Sequence, residues 1–227
     1  MSPAMMIMGV IVVILLYMYF FYKTGETKLG DKIELDNATA IPVKDIIDSK
    51  SQVYSFETWV YINQYDGSGK ELFYKEGASV DTRNIEVSIT GASPTLVVKY
   101  LTNESSPTQK SLTVTDNFPI QTWVHVIVSV DSNYIDVYVN GKLTKSIKES
   151  TGIKMPEDVQ IKFGNWGQNK CSLAKFYRRT YAVDPASAWT LYNDGNGSNK
   201  FSKYLGSLGM DVTLKKDSIE YSKLNIF

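Results

Sequence analysis

Cysteine and histidine are almost missing from this chain of 227 residues. The single cysteine, Cys171, excludes an intramolecular disulfide framework and any multi-cysteine zinc site. The single histidine, His125, excludes a multi-histidine metal site and leaves one Cys/His combination for nucleophilic catalysis. A surplus of charge is lacking too. Lys plus Arg number 24 and Asp plus Glu number 24. Neutralising phosphates takes a basic excess, so no nucleic-acid partner is expected. Hydrophobic residues make up 43% and charged residues 21%, which excludes a chain disordered by composition. The most informative absence is local: no Asp, Glu, Lys or Arg precedes Lys23.

That uncharged start reads as a membrane span. Residues 4–22 run AMMIMGVIVVILLYMYFFY, and ten of these 19 are Val, Ile, Leu or Phe. A helix of this length rises roughly 28 Å, close to the hydrocarbon thickness of a bilayer. A buried core helix would carry a polar stripe, and a signal peptide would start with basic residues and end on small ones. Neither pattern is present. Tyr17, Tyr19, Phe20, Phe21 and Tyr22 gather at the end that meets the headgroups. Lys23, Lys28 and Lys32 follow the span and no basic side chain precedes it, so the remainder is expected on the cytosolic side. The unpaired Cys171 agrees with a reducing compartment. Three glycosylation sequons, at Asn37, Asn103 and Asn196, point the other way. Residues 1–23 are thus an anchor, 24–32 a polar linker, 33–199 a folded domain and 200–227 a tail rich in apolar residues. The tail either folds back on the domain or docks on a partner.

The domain reads as all-β. In Tyr54–Ile62, Phe56, Val60 and Ile62 share one face, with Glu57, Trp59 and Tyr61 on the other. Residues 71–75, 85–90, 95–101 and 111–115 are further strands. Val124, Val126, Val128 and Val130 line one face of the next strand, and residues 134–139 return from it. Asn140-Gly141 is the strongest hairpin signal, because both central residues of a type I′ turn need positive φ. Residues 142–147 complete a meander, and Val159, Ile161 and Phe163 mark another strand face. One helix is expected late in the chain, capped by Asp184 with Pro185 in its first turn. Many short strands with one small helix indicate a β-sandwich.

Several segments resemble laminin G-like domains: Ser55-Phe56-Glu57-Thr58-Trp59-Val60-Tyr61, Thr122-Trp123-Val124-His125-Val126, Tyr138-Val139-Asn140-Gly141-Lys142, Phe163-Gly164, and Ala174 through Arg179 with Leu191-Tyr192. The resemblance covers roughly residues 35–197. It implies a concanavalin A-like jelly-roll sandwich of two antiparallel sheets, preceded by one transmembrane helix. A lone domain of this kind behind a membrane span is similar to virion proteins of large icosahedral DNA viruses.

Relatives of this fold that cleave glycosides use paired carboxylates in a Glu-x-Asp-x-x-Glu pattern. Glu34-Leu35-Asp36 starts such a pattern, but no Glu follows in residues 37–40, so no enzyme is expected. His125, on the Trp123/Ile127 face, reads as a packing residue, and Cys171 as a small core residue. Asp66, Asp81 and Asp131 lie in loops where related domains place calcium ligands. Turn chemistry accounts for all three, so no catalytic, metal or cofactor site is expected. Trp59, Tyr61, Tyr65 and Trp166 are the aromatics that a glycan-binding face would use; sheet and core packing is the competing role for each. The expected function is a non-catalytic, membrane-anchored structural or interaction protein. Its partners would be the bilayer, through residues 4–22, and neighbouring structural proteins. In a virus these would be capsid proteins beside an internal membrane. The alternative is a membrane-anchored glycan-binding or adhesion protein. The anchor makes a direct prediction. The full chain stays in the membrane pellet after alkaline wash, and Val13→Lys, which costs roughly 2.5–3.5 kcal/mol of insertion free energy, releases a substantial fraction.

Overall fold

The computed structural model describes residues 9–14, 25–105, 109–197, 211–216 and 219–225, the last two stretches as backbone only. Of the expected span, residues 9–14 are helical and the remainder lies outside the described residues. No helix among the described residues is long and apolar enough to cross a membrane.

Two antiparallel sheets face each other. The first has six strands in the order β1 (Glu26–Glu34), β11 (Cys171–Arg179), β2 (Val53–Ile62), β7 (Trp123–Asp131), β8 (Tyr134–Val139) and β9 (Lys142–Lys148). The second has five: β10 (Ile161–Phe163), β3 (Lys70–Lys75), β4 (Ile85–Thr90), β5 (Thr95–Tyr100) and β6 (Lys110–Thr115). The expected strands are all present, within a residue or two at their ends apart from β10. Alternation sorts each strand. Phe56, Val60 and Ile62 of β2 and Val124, Val126, Val128 and Val130 of β7 enter one continuous core with Val87, Ile89 and Val98 of the second sheet. A hairpin of β12 (Asp211–Lys216) and β13 (Ile219–Asn225) forms its own two-stranded sheet in the tail. Residues 200–210, and with them the docking place of the tail, lie outside the described residues.

The linker expectation is corrected. Residues 26–32 form most of β1, which pairs with β11 from Glu26↔Arg179 to Glu34↔Ser172. The signal was weak because Gly30 and Asp31 interrupt the apolar positions Leu29, Ile33 and Leu35. A bulge between Lys28 and Gly30 breaks the register as well. At the other edge, β9 exposes Lys142, Lys145 and Lys148; only Ile147 is half-buried. Lysines on an edge strand discourage pairing with a second sheet.

Loop 43–51 is held by two buried cations. The Lys75 ammonium donates to the carbonyls of Ser49 and Glu157, each at 2.8 Å. The Arg178 guanidinium donates to the carbonyls of Ile47 and Asp48. Burial, with Arg178 nearby, pushes Lys75 down to about 8.

The Phe163-Gly164 pair has a steric cause. A Cβ on Gly164 would lie 2.2 Å from the Glu71 carbonyl oxygen, which also accepts the indole N–H of buried Trp166 at 2.7 Å. The obstacle is backbone and cannot swing away. Gly164→Ala is therefore expected to cost about 1–3 kcal/mol, as overpacking does. Urea unfolding should show a lower midpoint with an unchanged slope.

Candidate functional site

The inner face of the six-stranded sheet is core; the outer face carries the site. Helix α1 (Pro185–Asn193) lies across that outer face. Its N-cap Asp184 accepts from the backbone N–H groups of Ala186 and Ser187, and Pro185 occupies the first turn. The loop before it is clamped: Ser129 Oγ accepts from Val183 N–H at 2.8 Å, and Tyr138 Oη donates to the Val183 carbonyl at 2.9 Å. Val183, Ala188, Ile127 and Tyr138 form a small second core under the helix. At the other end, Lys175 Nζ donates to the carbonyls of Asp194 (3.2 Å) and Gly195 (2.6 Å), a cation closing a helix C-terminus.

Aromatic stacking sets the position of the helix. Tyr192 stacks on Trp59 with ring centroids 5.6 Å apart, and Trp59 packs on His125 at 4.9 Å. The β8–β9 turn makes room. Asn140 and Gly141 have φ of 50° and 74°, and a Cβ on Gly141 would stand 2.9 Å from Tyr192 Cβ and 3.0 Å from the Trp189 ring. Asn140 Oδ1 in turn accepts from His125 N–H at 3.0 Å. Between the turn, the helix and the loop after β6 lies an open groove of about 520 Å³. Thr115, Asn117, Asn140, Lys142, Trp189 and Tyr192 line it. Trp189 is 48% exposed there. Thr144 also borders the groove, which therefore runs along the free edge of β9.

Below the helix is a buried charge network. His125 Nε2 lies 3.0 Å from Glu57 Oε1, Arg179 Nη2 lies 2.5 Å from Glu57 Oε2, and Arg179 Nε lies 3.2 Å from Glu26. Burial opposes ionisation of Glu57, but the His125 hydrogen bond and the Arg179 charge outweigh it and lower its pKa. A second network crosses the outer face of the five-stranded sheet. Arg83 Nη1 reaches Glu71 and Glu86, both at 2.8 Å, and Lys99 reaches Glu86 at 2.8 Å. Burial works against the Glu71 carboxylate as well, yet Arg83 holds its pKa down. Glu71 and Glu86 thus form an ion-paired brace across the sheet.

The residues singled out from the sequence are scattered. Trp59 is 7% exposed under α1, and Trp166 is buried in the main core. Tyr61 packs on Trp123, and the Tyr65 hydroxyl donates to the Gly91 carbonyl. Cys171 is a core residue whose thiol is pushed up by burial. Asp66 accepts from Ser68 Oγ and N–H, which hold its carboxyl well below the usual carboxylate range. Asp81 is exposed in a short 3-10 turn and Asp131 at the last position of β7. Among the described residues no cluster of three or more His, Cys, Asp or Glu fits a metal ion. Trp189 was not singled out from the sequence, and Tyr192 only as part of the family resemblance. Their i, i+3 spacing on the predicted helix was the available signal.

With the geometry in place, comparison settles the family. The family model described as the concanavalin A-like lectin/glucanases superfamily, laminin G type, matches residues 35–176. The chain belongs to this superfamily. The match stops within β11, so α1 lies beyond the part the superfamily model covers, whereas Thr115, Asn117, Asn140 and Lys142 of the groove lie within it. No curated protein matches the sequence. Solved structures share the fold. The botulinum neurotoxin serotype G binding domain aligns with TM-score 0.52 and 15% identity, covering 72% of this chain and 42% of that one. A botulinum neurotoxin type C structure, described by its interaction with two ganglioside molecules, gives 0.51 and 18%, covering 74% and 42%. The binding domain of botulinum neurotoxin DC with rat synaptotagmin II gives 0.50 and 18%, covering 68% and 38%. This chain therefore spans about two fifths of those chains.

The Glu57 network yields a pH prediction. A carboxyl whose folded pKa is depressed stabilises the fold above the ordinary value of 4.5, and that stability drains away as pH falls through the folded value. Glu57→Gln leaves Arg179 buried without its closest partner and is expected to cost about 3 kcal/mol at neutral pH. Denaturant melts should show the gap between wild type and variant narrowing as pH drops below 4.5.

Proposed function

We propose that this is a non-catalytic, membrane-tethered interaction protein whose groove beside α1 receives a segment of a neighbouring protein. Residues 4–22 hold it in the bilayer, with the sandwich on the cytosolic side. In its most specific form it is a virion component of a large icosahedral DNA virus, joining an internal membrane to capsid proteins. The observation that carries the reading is the half-exposed Trp189 in a groove bordered by the unpaired edge of β9. An aromatic anchor of this kind dominates protein contacts, and a free strand edge offers backbone groups to an extended peptide. The tether adds to this by keeping the domain close to its partner, so that weak contacts suffice.

A second reading has its own support. Trp189 and Tyr192, flanked by Asn117, Asn140 and Thr115, offer an aromatic face with amide and hydroxyl groups, which also suits a saccharide. The ganglioside interaction named for the type C neurotoxin is in keeping with it.

A photo-crosslinker at Trp189, used in native membranes or purified particles, is expected to join one specific protein neighbour. Trp189→Ala should weaken that association by about 2 kcal/mol, as hot-spot truncation does, and leave the unfolding midpoint nearly unchanged. Saturable binding of an oligosaccharide that Trp189→Ala abolishes, with no protein cross-link, would instead establish the glycan reading.

A further inference from the structure

The chain leaves the predicted span at Tyr22 and is already part of the sandwich at Gly25. The Gly25 carbonyl accepts from Thr180 N–H at 2.8 Å and from Thr180 Oγ1 at 3.1 Å, and Glu26 opens β1 opposite Arg179. Three residues reach about 10 Å when fully extended. A tether that short, fixed to a laced strand, lets only one end of the sandwich approach the bilayer.

The antiparallel register identifies that end. Arg179 pairs with Ser55, Val53 with Asp131, Asp131 with Tyr134, and Tyr134 with Lys148. The neighbouring loop joins the same end, because Glu149 N–H donates to the Asn133 carbonyl and Ile153 N–H to the Ser132 carbonyl. The next loop over belongs there too, since Asn84 Nδ2 donates to the Lys154 carbonyl. Four large side chains with apolar bodies protrude from these loops: Val80 at 53% exposure, Tyr134 at 42%, Met155 at 50% and Tyr181 at 41%. Lys148 Nζ lies 5.3 Å from the Tyr134 ring, and Lys50 and Lys154 border Met155, where they also pair with Asp158 at 3.8 Å and Glu157 at 3.5 Å.

We infer that this end of the sandwich rests on the bilayer surface, with Tyr134, Tyr181, Met155 and Val80 in the headgroup region. The chemistry suits a lipid surface. Tyrosine places an apolar ring inward and its hydroxyl at the water, and lysine stems lie along apolar surface while their ammonium groups reach phosphates. The occupant is the same bilayer that holds residues 4–22, so the inference rests on the membrane-span reading. Asn140 and Lys142 lie at the opposite end of the strands, since Val139 pairs with Val126 and with Lys142. Tyr134 and Val139 stand at the two ends of the six-residue strand β8, roughly 17 Å apart. The groove beside α1 is thereby held away from the membrane, open to a partner.

The test uses the full chain in vesicles that contain lipid with a nitroxide on the headgroup. Bimane is attached to Tyr134→Cys, to Tyr181→Cys and, at the opposite end, to Lys142→Cys. Cys171 is buried and stays unlabelled. An alkaline wash of the same vesicles reports separately on the span. The expected result is a chain that stays in the pellet, with quenching at 134 and 181 severalfold stronger than at 142. A pelleted chain quenched as strongly at 142 as at 134 and 181 would overturn the inference and leave the span standing. Release by the wash would overturn both.

Discussion

Strands β2 and β7 are buried on both faces, and the rest of the architecture follows from that constraint. A pleated strand sends alternate side chains to opposite sides. Valines at even positions of β7 fill the space between the sheets, so His125 and Ile127 must point outward beside Trp59, Glu57 and Tyr138. An outward face with two fused-ring or imidazole groups, a buried carboxylate and apolar neighbours cannot be left to water. Helix α1 is the cover. Its position is fixed by the Tyr192–Trp59 stack, the Val183 clamp and the approach that Gly141 permits. The groove is what remains between the helix, the β8–β9 turn on which it packs and the loop after β6.

The two sheets solve the same outer-face problem in different ways. The six-stranded sheet uses a helix and hides its charges beneath it as Glu57, His125 and Arg179. Among the described residues the five-stranded sheet has no such helix over it, and Glu71, Glu86, Arg83 and Lys99 form a lattice of ion pairs there. Between the sheets and the loops, Lys75 and Arg178 form no ion pair with a carboxylate among the described residues. Backbone carbonyls from loop 43–51 and from Glu157 receive their protons instead. Removing either cation would leave those carbonyls bare, which links loop order to the sheet.

Much of the fold was legible in the sequence because period-2 alternation is a local signal. The Val124–Val130 run, the Asn140-Gly141 turn and the Asp184-Pro185 cap each announce their element within a few residues. Strand β1 was not legible, because Gly30, Asp31 and the bulge interrupt its period and its pairing partner lies about 140 residues later. The site was harder still. Alternation places Glu57 opposite Phe56 but cannot say whether that face meets water, since the answer depends on a helix more than 120 residues away. Trp189 and Tyr192 sit in a helix of plain composition, and only its docking on Trp59 turns them into the wall of a groove. The aromatics that the sequence does advertise, Trp59 and Trp166, are buried.

The lysines of β9 have a meaning beyond their own strand. If residues 4–22 hold the protein in a membrane as proposed, its copies share a plane and meet far more often than free molecules do, edge toward edge. A bare strand edge in that setting would let sheets of adjacent copies join into ribbons. Lys142, Lys145 and Lys148 make that meeting a contact of like charges. Positive charge along one outer strand thus discourages edge-to-edge joining of copies of this chain.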